Sequence, residues 1–149
     1  MKTRTAKTEY ALALDQLTRY LTVRDHSRFE LQQKLAKKFD LTLIEQVLAE
    51  AGANGLIAPE EEISERAERA LRGRLKSRAY IEGQLRKRGL PVPAGDPELE
   101  IATARALVEK KFGPATELSY DDKGKAYRFM KYRGFDDHTI RMVLNGQDF

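Results

Sequence analysis

The chain has no cysteine, which excludes disulfides and thiolate metal sites and fits a reducing compartment. It has no apolar run approaching the roughly 20 residues that a membrane span needs, so no membrane association is expected. The basic start, MKTRTAKTEY, has no apolar stretch behind it and does not read as a secretory signal. Alternating β-branched runs, the mark of half-buried strands, are nearly absent. There is no Gly-rich phosphate loop, no HExxH and no Ser/His/Asp pattern in a strand–turn–helix context. The two histidines, His26 and His138, each stand beside an aspartate at a helix start. They read better as exposed loop residues than as a metal pair. Asp121-Asp122 and Asp136-Asp137 read as helix caps rather than paired catalytic carboxylates, and Glu60, Glu61 and Glu62 as a helix N-terminus. An enzyme is therefore disfavoured, and no cofactor is expected.

Charge is abundant: 34% of residues are charged and 41% hydrophobic, with a net charge of +4, a balance that suits a helical protein with a modest core. Its distribution is uneven. From Arg69 to Leu90 there are eight Lys/Arg and one acid, Glu82, whereas from Glu45 to Glu68 there are seven Glu and one Arg, Arg66. Such asymmetry suggests a face that meets an anionic partner, although each cluster also fits a solvated helix surface.

Apolar residues recur with a helical period almost throughout. After a frayed start over residues 1–8, a first helix is expected over 8–23, with Tyr10, Leu14, Leu17 and Leu21 inward. Ser27-x-x-Glu30 is a capping box that opens a second helix carrying Leu31 and Leu35. A third is expected over 42–51, stopped by Gly52, Asn54 and Gly55. A fourth runs over 61–76, with Ile63, Ala67, Ala70, Leu71 and Leu75 inward. The fifth is the basic stretch SRAYIEGQLRKRGL, Ser77 to Leu90. Three prolines and a glycine in Leu90–Pro97 forbid helix there. A sixth helix runs from Pro97 to about Phe112, and residues 113–121 form a loop. Asp122 then caps a seventh helix to Arg133, and Asp136 caps an eighth over 137–145.

These elements repeat. A shift of 50 pairs Leu21 with Leu71, Ser27 with Ser77, Arg28 with Arg78, Leu31 with Ile81, Leu35 with Leu85 and Lys38 with Arg88. A further shift of 45 pairs Ser77 with Asp122, Ile81 with Ala126, Leu85 with Met130, Arg88 with Arg133 and Gly89 with Gly134. A unit of two or three short helices cannot bury its apolar face alone, so tandem packing is expected. The expected fold is all-α, built from tandem three-helix repeats at 8–57, 58–96 and 97–149. The middle repeat lacks its third helix because the Pro-rich loop replaces it.

The order and spacing of three segments resemble the RecX regulatory proteins. These are Arg24-Asp25-His26-Ser27 through Leu35, Leu85-Arg86-Lys87-Arg88-Gly89-Leu90, and Arg128 to Phe135 followed by Ile140 and Val143-Leu144. The resemblance spans about residues 11 to 144. It departs from the family's habit at Ala58-Pro59, where an acidic pair is usual, at Phe39, where glycine is usual, and at the Pro-rich loop. It implies an all-α protein that lies along the groove of a RecA–DNA filament and inhibits strand exchange and coprotease activity, hence a cytoplasmic role in DNA repair and the SOS response. The implied partners are the RecA filament and, weakly and electrostatically, single- or double-stranded DNA. A basic nucleic-acid-binding module without recombinase specificity is the other reading left open by the residues. Candidate binding residues are Arg72, Arg74, Lys76, Arg78, Arg86, Lys87 and Arg88 of the middle repeat, with Lys37 and Lys38 before them and Lys131 and Arg133 after. Arg78, Arg86 and Lys87 are expected to face outward. Arg88, nearer the apolar stripe, is expected to cap helix carbonyls.

Overall fold

The computed structural model describes residues 6–146, with side chains from residue 7. Among these, the chain forms eight α-helices and one 3-10 turn, with no strand. They are α1 (Ala6–Val23), α2 (Arg28–Leu35), α3 (Leu41–Ala53), α4 (Glu60–Gly73), α5 (Arg78–Lys87), α6 (Pro97–Phe112), the turn Ala115–Glu117, α7 (Tyr120–Tyr132) and α8 (Asp137–Asn145). No helix is long and apolar enough to cross a membrane.

The expected helix boundaries hold with local corrections, the largest in α4, which ends at Gly73 rather than at Lys76 and leaves Leu75 beyond the helix. Of the frayed start, residues 1–5 lie outside the described part, whereas Ala6, Lys7 and Thr8 are already helical. Helix α3 runs through Gly52 before it stops. Ala70, expected inward, is exposed. The segment after Gly113 contains the 3-10 turn. Asp122 does not cap α7. Ser119 does, accepting from the Asp122 amide at 3.1 Å, so Asp122 sits inside the first turn, where its charge suits the helix dipole.

The chain packs as two compact units. The first comprises the described residues up to Glu65 together with Leu85–Pro91. The second comprises Arg66–Gln84 and the described residues from Val92 on. Helices α4 and α5 each contribute residues to both.

In the first unit α1, α2 and α3 pack on one another. Their stripes bury Ala13 and Leu17, Leu31 and Leu35, and Ile44, Val47, Leu48 and Ala51, with Leu21 and Phe39 against the cluster. The capping box is complete. The Ser27 hydroxyl accepts from the Glu30 amide at 3.1 Å, and Glu30 accepts from the Ser27 amide at 3.2 Å. Such a cap contributes about 1 kcal/mol.

In the second unit α6, α7 and α8 surround a core of Ala104, Leu107, Val108, Ala126, Met130, Phe135, Ile140 and Val143, with Leu75 packed against it. Helix α4 ends in a Schellman pattern, Lys76 N–H to the Leu71 carbonyl and Leu75 N–H to that of Arg72. Leu75 holds the left-handed position at φ 58.

The same closure ends α5 and α7, with Gly89 (φ 65) and Gly134 (φ 96) at the left-handed position. Both glycines also stand where a neighbour comes close. A Cβ on Gly89 would lie 2.6 Å from Phe29 Cβ, and one on Gly134 would lie 2.8 Å from Ser77 Oγ. Ser27, in turn, donates its hydroxyl to the Arg88 carbonyl. In the first unit the cap serine of one repeat thus meets the Arg-Gly end of the following basic helix, and in the second unit the equivalent serine meets the equivalent glycine. Phe39 breaks the series. Helix α2 ends without a left-handed residue, and Phe39 donates its amide to the Leu35 carbonyl at 2.9 Å.

Candidate binding surface

The cations singled out from the sequence fall into two physical groups. Three are structural. Arg72, with a side chain only 9% exposed, pairs with Glu100 at 3.0 Å and donates to the Lys76 carbonyl at 3.2 Å and to Thr103 Oγ1 at 3.3 Å. Glu100 also accepts from the Arg78 amide at 3.0 Å, which satisfies an orphan donor at the start of α5. Arg78, expected to face outward, is half-buried. It pairs with Glu82 at 2.7 Å and donates to the Pro93 carbonyl at 2.6 Å, fixing the Pro-rich loop. The loop's Pro91 carbonyl, in the first unit, accepts from Ser64 at 2.7 Å.

Arg88, expected to cap helix carbonyls, instead meets a carbonyl of the loop between α1 and α2. It donates to Asp25 O at 2.8 Å and pairs with Glu30 at 2.9 Å. Arg24 holds the other Glu30 oxygen at 2.5 Å. Burial alone would raise the Glu30 carboxyl. Hydrogen bonds from Arg24, Arg88 and the Ser27 amide outweigh it and hold the pKa at about 2. Beside this cluster lies His26, which is 1% exposed, so the expectation of an exposed loop histidine is corrected. Its Nδ1 stands 3.0 Å from the Arg24 carbonyl and its Nε2 2.7 Å from Lys34 Nζ. Those partners assign Nδ1–H as donor and Nε2 as acceptor, the neutral ring. Burial lowers the His26 pKa against the Arg24 carbonyl bond, and the charges of Arg24 and Lys34 lower it further.

The remaining candidates, half-buried Lys76 apart, are exposed. In the first unit Lys37, Lys38, Arg86 and Lys87 are exposed. In the second Arg74 is exposed, and Lys76 lies 4.8 Å over the Tyr80 ring. Lys131 pairs with Asp137 at 2.9 Å. Arg133 lies 5.3 Å and Lys111 4.0 Å from the Phe129 ring centre. Among the described residues no cluster of three or more His, Cys, Asp or Glu could hold a metal ion.

The sequence reading missed a groove of about 700 Å³ beside α7, entirely within the second unit. Tyr120, Lys123, Gly124, Tyr127 and Arg128 of α7 line it together with Asn145 of α8. Its signal was the run Tyr120 to Arg128, where aromatic and basic residues recur three and four positions apart around a glycine.

Residues 10–50 match the first three-helix domain of RecX and residues 98–144 the third. The regulatory protein RecX of Chlorobaculum tepidum is 36% identical over 141 residues, covering 89% of this chain and 86% of its own. The chain belongs to the RecX family. The regulatory protein RecX of Escherichia coli (strain SE11) is 30% identical over 144 residues, covering 85% of this chain and 86% of its own. In fold, the crystal structure of RecX from Lactobacillus salivarius superposes with a TM-score of 0.76 at 18% identity, over 93% of this chain and 96% of that one. The RecX fold thus tolerates a left-handed leucine, Leu75, at the end of α4, and a non-glycine residue, Phe39, at the end of α2.

Proposed function

We propose that this RecX-family chain binds the RecA–DNA filament in the cytoplasm and inhibits its recombinase and coprotease activities. What supports the reading most is family membership joined to exposed cations without a carboxylate partner among the described residues, Lys37, Lys38 and Lys87 in the first unit and Arg74 in the second. The filament offers phosphates and acidic side chains, and either suits such cations. The chain acts by binding rather than by catalysis in this reading, and its relatives carry the name of regulatory proteins. The α7 groove favours nucleic acid as part of the target and keeps open a second reading, a basic nucleic-acid-binding module without recombinase specificity.

Cosedimentation with RecA, with and without single-stranded DNA, separates the two. Retention by the filament well above retention by bare DNA, together with inhibition of strand exchange, supports the first. Equal affinity for bare DNA and filament, without inhibition, would leave only the second.

A further inference from the structure

The geometry points to the α7 groove as a seat for single-stranded nucleic acid, with bases stacking on Tyr120 and phosphates meeting Lys123 and Arg128. This deepens the reading above, on which it rests for a partner that contains single-stranded DNA. Tyr120 is 91% exposed. A ring held almost wholly in water offers a flat stacking face to any base, and such stacking is tolerant of sequence. Tyr127, in the same wall, is fixed differently. Its hydroxyl donates to Asp137 at 2.5 Å, and Lys131 holds the same oxygen at 2.9 Å.

Lys123, Lys125 and Arg128 stand along this helix, and none forms an ion pair among the described residues. Asp121 is the acidic residue of the lining, so the groove is net positive. Gly124 is the further sign. Glycine is a poor residue for a helix interior. Packing does not require it here, because a Cβ would meet only Arg128 Nη1, at an ordinary 3.5 Å. What its missing side chain leaves in the groove lining is one residue of backbone without a Cβ, beside the Arg128 guanidinium, where a phosphate held by that arginine can approach the helix closely. Positive charge, a solvent-held aromatic face and a side-chain-free position between them together favour a nucleic-acid strand over an acidic peptide, whose charged side chains carry no aromatic ring to stack.

The test is binding of a fluorescent oligothymidylate to the full chain without recombinase, read by anisotropy against salt concentration. Tyr120→Ala is expected to weaken binding roughly five- to 150-fold, the effect of losing one stacked base, and Tyr120→Phe to restore it. Lys123→Glu with Arg128→Glu is expected to weaken binding more than tenfold. Because each neutralised phosphate contributes about 0.7 to the salt slope on a single strand, the double variant should flatten it by about 1.4. Gly124→Ala, which improves the helix, is expected to raise the melting temperature while lowering affinity, so its loss of binding cannot be a folding defect. Wild-type affinity in folded Tyr120→Ala and in the double variant overturns the inference. So does displacement of the oligonucleotide by polyglutamate at equal charge concentration, which would make an acidic protein surface the occupant. Wild-type chain that binds the filament but not the oligonucleotide also overturns it, while leaving the proposed function intact. Oligonucleotide binding without filament binding does the reverse.

Discussion

At the residue scale, single side chains decide which charges are available to a partner. Glu30 is shared by Arg24, Arg88 and the Ser27 amide, and its pKa of about 2 lies below the ordinary 4.5. A carboxyl depressed by folding contributes stability that is present above its unfolded pKa and lost as pH falls toward the folded one. His26 is depressed as well, and a histidine kept neutral by burial loses stability when protons become abundant below its ordinary 6.5. The two effects have the same sign and successive windows. The melting temperature is expected to fall from about pH 6.5 downward through His26, and again between about 4.5 and 2 through Glu30. Thermal melts of His26→Gln and Glu30→Gln check this. The first variant should flatten the upper window and the second the lower, and an unchanged profile in both would count against the cluster. Gly89→Ala sets a left-handed alanine against Phe29 and is expected to lower stability by about 1–3 kcal/mol, measurable by urea titration.

At the element scale, Leu35, Leu85 and Met130 hold the same place in three basic helices, and all three are buried. Replacing any one with alanine is expected to cost about 2–5 kcal/mol in chemical denaturation, and a loss below about half a kcal/mol would contradict the burial. These positions were legible because periodicity and repetition state them twice over. So were the capping box and the Gly89 and Gly134 stops, where one residue type has one physical reason. What was not legible depended on partners distant in sequence. Nothing near Arg72 announces Glu100, and nothing near Ser27 announces the carbonyl of Arg88. His26, in the loop between α1 and α2, looked exposed because the Lys34 and Tyr20 side chains that cover it stand on two different helices. Ser119 was missed as a cap because the repeat register favoured Asp122, three residues on. The exposed ring of Tyr120 was not legible for the same reason, because a helix begun at Asp122 leaves Tyr120 in the preceding loop, whereas α7 begins at Tyr120 itself.

At the scale of the whole molecule, net charge misleads unless each cation is sorted by what already holds it. Arg72 and Lys87 look alike in the sequence, yet one is tied into a pair with side chains 9% and 12% exposed and the other stands in solvent. Removing one partner of a buried pair leaves the other charge desolvated and uncompensated, which typically costs about 3–5 kcal/mol. Exposed charges contribute little to stability and act instead on association. Arg72→Met is therefore expected to lower the melting temperature markedly, through the stranded Glu100 carboxylate. Lys37→Glu, Lys38→Glu and Lys87→Glu combined should leave the melt within a degree or two while weakening filament binding. Wild-type binding should itself weaken as salt is added, since screening acts on exposed charges and counterions are released from phosphate. Cosedimentation across a salt series, with melts on the same samples, reads both quantities at once. If the triple variant melts like the wild type and still inhibits strand exchange at the wild-type concentration, those three lysines only solubilise the chain. The contact with the filament would then fall to the surface of the second unit, where Arg74 and the α7 groove remain.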